Sequence, residues 1–146
     1  MIDFEVAYQL FLVVFLGALI GLEREAKKKA AGVQTYSLVA LGSCFFTMLS
    51  FEMVRVFFKN SDVVFDPLRV VQSVAIGIGF IGAGAIFSQK GEIVGLTTAA
   101  GLWVVAAIGM AVGVRLYFLS TVVTFLTLLI FSGLGWIELK IFGNKK

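Results

Sequence analysis

The side chains that could bind a ligand or move a proton fall in a few short clusters along this chain of 146 residues. Glu23-Arg24-Glu25 places two carboxylates on either side of a guanidinium. The same three residues suit a solvated helix end with compensating charges, a polar anchor to neighbouring loops, or a docking site for a partner protein. The sequence leaves these interpretations open.

A second cluster, Asp66-Pro67-Leu68-Arg69, stands directly before an apolar segment. Asp is a strong helix N-cap and complements the helix dipole, and Pro suits the first helical position, so this pattern predicts a helix start without any catalytic role. Arg69 could extend toward the membrane surface or pair with Glu52 or Asp66. Gln72 follows one turn into the apolar segment and needs a hydrogen-bond partner there.

Hydroxyl and indole groups form a third set. Thr97 and Thr98 can hydrogen-bond to backbone or to another helix, and Trp103 lies too deep for a simple interfacial anchor. We therefore expect the Trp103 indole N–H to have a protein partner. The chain has no histidine and a single cysteine, Cys44, so no nucleophile–base pair, disulfide or zinc site is expected. The sequence argues against an enzyme and implies no cofactor.

The composition places all of these groups in a membrane protein. Hydrophobic residues make up 60% and charged residues 14% of the chain, against roughly 45–50% and about 25% in soluble domains. A spanning helix needs about 20 mainly apolar residues. The sequence predicts an all-α, polytopic transmembrane bundle in one domain over residues 1–146, with five helices at about 6–22, 33–54, 70–88, 96–113 and 116–137.

The distribution of basic residues predicts how the bundle is oriented. Of the 12 Lys and Arg, eight fall on one side, in the first and third connections and near the C-terminus, and four fall on the other. This places the N-terminus outside and the C-terminus in the cytoplasm. Asp3 and Glu5 stand where a cleavable signal peptide carries Lys or Arg, so the first helix is expected to stay in the mature protein. The net charge of +3 is too small and scattered to suggest nucleic acid.

Small residues predict the packing, because lipid supplies no hydrophobic force between helices and close backbone approach takes its place. The third segment is densest in small residues, so we expect it at the centre of the bundle. Its Gly77–Gly82 stretch fits G-x-G-x-x-G but lacks the flanking strand and acidic residue of a dinucleotide site. A homo-oligomer, with a dimer favoured, is the expected assembly. The predicted packing glycines are Gly17, Gly21, Gly77, Gly79, Gly82, Gly84, Gly109 and Gly113.

Two segments begin alike. Gly32-Val33-Gln34-Thr35 opens the second helix, and Gly95-Leu96-Thr97-Thr98 opens the fourth, 63 residues later. Two helical hairpins related by an axis along the membrane normal would give this repeat. In the fifth segment Ser120, Thr124 and Thr127 align on one side, and large apolar residues on the other side are expected to face lipid.

Taken together, these motifs resemble the MgtC/SapB family of bacterial inner-membrane proteins, from about Gly17 to Tyr117. Two positions depart from the family pattern, because Gln34 and Val94 stand where arginine is typical; both losses bear on any role that needs those basic groups. The resemblance rests on six stretches: Gly17–Glu25, Gly32 with Thr35, Leu38–Gly42, Asp66-Pro67-x-Arg69, Gly77–Gly84, and Gly95–Ala100 with Trp103 and Ala106–Gly109.

The resemblance implies a protein of the bacterial inner membrane in the short, SapB-like form, without the soluble domain of longer members. It links the chain to growth in low magnesium, to virulence, and to modulation of membrane physiology, including inhibition of the ATP synthase as a membrane partner. Our first hypothesis is a non-enzymatic membrane protein that acts through helix–helix contacts. The second is a channel or transporter for magnesium or another cation, with a path along the third helix.

Overall fold

A computed structural model describes residues 2–57, 66, 68–89, 91–134 and 140, and within them the chain forms a bundle of five helices. The predicted all-α bundle is confirmed. Pro67, Lys90 and the end of the fifth predicted helix, 135–137, lie outside the described residues. The elements are α1 Ile2–Ala26, α2 Val33–Phe57, α3 Leu68–Gly84, β1 Phe87–Gln89, β2 Glu92–Val94, α4 Leu96–Gly113, α5 Tyr117–Leu129 and a π-helical turn Ile130–Leu134.

Four helices are long and apolar enough to cross a membrane: Phe4–Ala26, Val33–Val56, Leu96–Gly113 and Tyr117–Leu134. The remaining helix, α3, has 17 apolar-rich residues and is shorter. The chain is therefore a multi-pass membrane protein.

The end of the third predicted helix is wrong. Helix α3 stops at Gly84, and Ser88 lies in strand β1, which pairs antiparallel with β2. The hairpin satisfies backbone groups that a longer helix would have satisfied internally, and it reverses the chain in few residues. Gly91 and Gly95 adopt φ of 85° and 95°, the left-handed region that suits glycine at such reversals.

Side-chain contacts fix the relative directions of the helices. Gln9 near the start of α1 reaches the end of α4, donating to the Val112 carbonyl at 2.9 Å. Gly82 near the end of α3 lies against Ala99 at the start of α4. Helices α1, α3 and α5 thus run one way, and α2 and α4 run the other. The described start of α1 and end of α5 lie at opposite ends of the bundle.

Helix α4 is the central element, and it contacts all four other helices. The predicted central position of α3 is wrong, because among its described residues only Ile78 and Gly82 are buried. Small residues all round a helix permit close neighbours but do not supply them. The buried residues of α4 are Thr98, Gly101, Leu102, Val105, Ala106, Ile108, Gly109 and Val112.

The closest helix crossing joins α4 to α2 through two glycines. A Cβ added at Gly109 would overlap the Ser43 hydroxyl and the Ala40 carbonyl, and one at Gly113 would lie 2.9 Å from the Thr47 Cβ and 3.0 Å from the Cys44 carbonyl. These contacts leave no room for a methyl group.

A second close crossing joins α1 to α2. A Cβ at Gly17 would lie 2.9 Å from the Ala40 Cβ and from the Tyr36 carbonyl, and one at Gly21 would lie 2.6 Å from the Val33 Cα. On α3, by contrast, Gly82 has only an ordinary contact at 3.5 Å with Ala99. Gly77, Gly79 and Gly84 have no atom of another described element within 4 Å of that position, so their predicted packing role has no partner within the described chain.

Gly109→Ala and Gly79→Ala form a matched pair of substitutions within helices. Gly109→Ala should lower the free energy of unfolding by about 1–3 kcal/mol because its methyl group overpacks the α2–α4 contact. Gly79→Ala should leave it unchanged or raise it by about 0.5–1 kcal/mol, since alanine is the better helix former. Denaturant titration of the monomer in detergent micelles measures both. Equal effects of the two substitutions would contradict the packing assigned to Gly109.

Candidate functional site

Arg24 is the centre of a buried polar cluster at the end of α1. Only 3% of the residue is exposed, and its guanidinium carbon lies 4.2 Å from the centre of the Phe131 ring. Arg24 Nη1 is 3.5 Å from Glu23 Oε2, and Lys27 Nζ is 2.6 Å from Glu23 Oε1. One carboxylate thus stands between two cations, which offsets part of the cost of burying them. We call Glu23, Arg24, Lys27 and Phe131 the Arg24 cluster.

The π-helical turn at the end of α5 completes the Arg24 cluster. It places the Phe131 ring under the guanidinium and its carbonyl within reach of Lys27, which donates to it through Nζ. A cation over an aromatic face contributes about 0.5–2 kcal/mol, more when water is excluded. The cluster therefore fastens the end of α5 to the end of α1.

Glu25 contacts the start of α2 rather than the Arg24 cluster. Its Oε2 accepts a hydrogen bond of 2.9 Å from the backbone N–H of Val33, the first residue of α2. The carboxylate of Glu25 also packs so closely on Gly32 that a Cβ there would overlap it. The exposed Glu25 side chain thus supplies α2 with an acceptor for one of its unpaired N-terminal donors. Of the interpretations open for Glu23–Glu25, this geometry matches the anchor to a neighbouring loop.

Tyr36 links the Arg24 cluster to α4. It is fully buried, and its hydroxyl donates to the Thr98 carbonyl at 3.3 Å. Gly101 leaves room for both this hydroxyl and the Phe131 ring, because a Cβ at Gly101 would overlap them. Thr98 is therefore brought into the bundle through its backbone.

Thr35 and Thr97 stand apart from these contacts. Thr35 is half-buried and Thr97 is exposed, and within the described residues neither hydroxyl has a hydrogen-bond partner. Both helices begin beside these residues, at Val33 and Leu96.

A second polar cluster, which the sequence analysis missed, lies at the opposite end of the bundle. Gln9 is 2% exposed and donates through Nε2 to the Val112 carbonyl at 2.9 Å and the Gly113 carbonyl at 3.4 Å. Glu5 Oε1 is 3.1 Å from Arg115 Nε, and Tyr117 donates to the same oxygen at 3.5 Å. A lone glutamine in an apolar run is a signal for such a contact, since an amide in lipid needs a partner.

Asp66 caps α3 as predicted: its Oδ1 accepts a hydrogen bond of 2.9 Å from the Leu68 N–H. Of the alternatives open for Arg69, pairing with Glu52 is not found among the described residues: Glu52 pairs with Arg55 one turn along α2, at 2.9 Å between Arg55 Nε and Glu52 Oε2. Nor does Arg69 pair with Asp66 in the part of the chain that the structure describes. Neighbours along a helix reach each other more readily than residues in different elements.

The partners expected for Gln72 and Trp103 are not found among the described residues. Gln72 is exposed on the outer face of α3. Trp103 is 58% exposed, because α4 turns Gly101, Leu102 and Val105 inward and leaves Trp103 on its outer side. Both side chains are therefore open to a partner from outside the described residues.

A groove of about 750 Å³ separates α2 from α3. Its volume is typical of a binding site, and its walls are mainly apolar. Arg69 lines it, together with hydroxyls from Ser43, Ser50 and Ser73. Ser43 donates to carbonyls of its own helix, and Ser73 donates to Arg69 O. The Ser50 hydroxyl is buried without a partner in the described structure.

The chemistry available to these clusters is limited. No group of three or more His, Cys, Asp or Glu that could hold a metal ion occurs among the described residues. Cys44 is buried, with its Sγ 3.7 Å from the Met48 Sδ, and no base approaches it in the described chain. The Arg24 cluster and the Glu5–Arg115 pair act between helices, so their evident role is to hold the two ends of the bundle together.

Arg24→Leu should destabilise the protein by about 3 kcal/mol, because it leaves the buried Glu23 carboxylate with Lys27 alone. Glu23→Leu in the same chain should restore part of that loss, since two apolar side chains replace the ion pair. A double-mutant cycle from denaturant titration in micelles measures the coupling. Additive effects of the two substitutions would show that the pair does not interact.

The model of the MgtC family matches residues 10–140. The chain is 39% identical to Protein SrpB of Synechococcus elongatus over 87% of the chain and 73% of SrpB. It is 40% identical to YhiD of Escherichia coli K12, named "Putative magnesium transporter YhiD", over 86% of the chain and 59% of YhiD.

A third relative is Protein SapB of Bacillus subtilis, 38% identical over 80% of the chain. The chain spans 59% of YhiD and half of SapB, so it corresponds to part of each. No solved structure matches the chain. The family match covers α1 from residue 10 onward, helices α2 to α5, the Arg24 cluster and the groove between α2 and α3, and on this evidence the chain belongs to the MgtC family.

Proposed function

We propose that this protein is a non-enzymatic, multi-pass protein of the bacterial inner membrane that modulates membrane physiology during adaptation to low magnesium. It acts through helix–helix contacts, with itself or with a membrane partner such as the ATP synthase. The observation that carries this proposal is that the acidic side chains described in the helices and at helix starts pair with cations or cap helices. They therefore serve the fold rather than a path through it.

The positions of the acidic groups support this proposal. Glu5 and Glu23 take part in ion pairs near opposite ends of the bundle, and Glu25 and Asp66 accept hydrogen bonds at helix starts. Ion-coupled transporters instead place ionisable groups near the bilayer centre. Among the described residues, the middle of each helix carries only apolar, small or hydroxyl side chains.

Helix α3 supplies the contact surface. Its outer face presents Gln72, Ile76, Gly79 and Ala83, all exposed. Gly79 and Ala83 are spaced i, i+4, which lets another helix approach closely, and the Gln72 amide can hydrogen-bond across the contact. A role in virulence belongs to the same proposal and depends on the partner.

The second candidate function is magnesium transport, which the name of the related YhiD favours. A path would follow α3, where Gly77, Gly79 and Gly84 leave the backbone uncovered. Backbone carbonyls are suitable ligands for cations, but in α3 they are engaged in the helix. The outside position of the N-terminus stays a prediction.

Purified protein in liposomes should give no magnesium flux above that of empty vesicles, because no carboxylate lies near the middle of a described helix. A fluorescent magnesium indicator trapped in the vesicles measures the flux. Asp66→Asn and Glu23→Gln serve as controls that remove one carboxylate from each end. Flux in the wild type that either substitution reduces would overturn the proposal and establish transport.

A strain lacking its own copy of the gene should regain growth in low magnesium when it expresses the wild type. Gly79→Leu should reduce this rescue at equal protein level, because leucine blocks close approach at the outer face of α3 while the protomer has room for it. Trp103→Leu, on the exposed side of α4, is the matched control. Equal rescue by both variants would exclude the α3 face as the contact surface.

A further inference from the structure

The two helical hairpins of the chain pack in equivalent ways. Helix α2 begins at Val33 and α4 begins at Leu96, 63 residues later. Gly17 of α1 lies against Tyr36 of α2, and Gly82 of α3 lies against Ala99 of α4. Ala99 is also 63 residues after Tyr36. Helix α3 therefore contacts α4 at the position equivalent to the contact of α1 with α2, although less closely: a Cβ at Gly82 would lie 3.5 Å from Ala99, whereas one at Gly17 would lie 2.9 Å from the Tyr36 carbonyl.

Helices α2 and α4, which contact each other, relate the two hairpins by an approximate two-fold axis. Helices α2 and α4 run in the same direction and contact each other along their length, from Tyr36 with Thr98 to Thr47 with Gly113. An axis between them, parallel to both, exchanges α1–α2 with α3–α4. Helix α5 packs against α1 and α4. We call the space between α1 and α4 that α5 occupies a slot. The two-fold relates it to a second slot between α3 and α2, and this second slot is the groove.

Exposure differs at equivalent positions of the two slots. Gly101 and Val112 of α4 are buried, the first against Phe131 of the π-helical turn that follows α5. Their equivalents 63 residues earlier, Leu38 and Leu49, line the groove and are 66% and 40% exposed.

The helix beside each slot shows the same difference. Leu16 of α1 is 3% exposed, whereas Ile81 of α3, just before Gly82 as Leu16 is just before Gly17, is 46% exposed and lines the groove. The groove thus has the shape of a helix site from which the helix is missing.

We propose that the groove between α2 and α3 receives α3 of a second copy of this chain, giving a symmetric dimer with its axis parallel to the helices. This proposal rests on the proposed function, because it names a partner for the helix contacts. Under such an axis the partner α3 runs in the same direction as α3. Helix α5 likewise runs in the same direction as α1, so the partner helix meets the groove as α5 meets its own slot.

Local packing space supports a helix at this place. Gly42 on α2 and Gly77 and Gly84 on α3 have no atom of another element within 4 Å of a Cβ position, so another backbone can approach closely. Helix α3 has 17 residues, and only Arg69 near its start is charged. The groove lining from Arg69 to Ile81 spans most of its length.

Symmetry favours a second copy over an unrelated helix. Each copy offers one α3 and one groove, so a two-fold places one helix in each groove and leaves neither site unfilled. The same α3 forms a wall of its own groove and enters that of the partner. An unrelated single helix or an acyl chain would fill one groove without covering the exposed side of α3.

Cross-linking in the membrane locates the interface. In a Cys44→Ala background, Ser73→Cys places a thiol of similar size at the groove, and Phe125→Cys places one on the exposed side of α5. A short bis-maleimide should link two copies through Ser73→Cys and not through Phe125→Cys. Linkage at Phe125→Cys alone, or at neither position, would overturn the proposal.

Filling the groove should weaken the dimer without harming the protomer. Gly42→Leu should lower the association constant about tenfold or more, because leucine occupies the space of the partner helix. Ala107→Leu, on the exposed side of α4, is the matched control and should leave association unchanged. Single-molecule photobleaching in liposomes measures the dimer fraction, and denaturant titration in micelles checks that both variants stay folded.

Two other results would overturn this assignment. Equal dimer fractions for Gly42→Leu and Ala107→Leu would place the interface elsewhere. Native mass spectrometry that finds a monomer with a retained lipid or a foreign single-span protein, released by Gly42→Leu, would give the groove another occupant. Magnesium flux tests the proposed function separately from the dimer. A dimer that carries flux would refute the proposed function and leave the dimer standing. A monomer without flux would refute the dimer and leave the proposed function standing.

Discussion

Helices in a bilayer gain little from burying apolar side chains against each other rather than against lipid, so the bundle depends on how closely its backbones approach. The contact between α2 and α4 meets this constraint with Gly109 and Gly113, which rest on the backbone and small side chains of α2. Gly17 and Gly21 do the same between α1 and α2. The dispersion contacts made possible by these glycines take the place of the hydrophobic force that organises a soluble core.

Polar groups then fasten the ends of this glycine-packed framework. Arg24, Glu23 and Lys27 join α1 to the end of α5, and Gln9 with the Glu5–Arg115 pair joins α1 to the other end of α4 and the start of α5. Within the helices, Ser120, Thr124 and Thr127 return their hydroxyls to backbone carbonyls four residues earlier. Side chains used in this way are unavailable for transport, which is why the proposed function is one of contact.

The two equivalent sides of the bundle differ in whether a helix covers them. Helix α5 closes one side of a nearly two-fold arrangement, and the equivalent groove between α2 and α3 stays open. Gly77, which has no atom of another described element within 4 Å of a Cβ position, lines that open side. Any helix that enters this groove must pack against both α2 and α3.

The sequence by itself determined the class of the protein and the starts of α2 and α4. Apolar runs, Asp66 before α3, and the matched openings at Gly32 and Gly95 are local signals, and α2 and α4 begin at the predicted Val33 and Leu96. The tertiary structure alone decided which helix is central, which glycines touch another backbone, and that Trp103 faces outward while Gln9 does not. Both α3 and α4 carry several glycines, and the rotation of each helix about its axis distinguishes a packed face from an open one. That rotation is set by contacts among residues far apart in the chain, such as Tyr36 with Thr98 and Arg24 with Phe131.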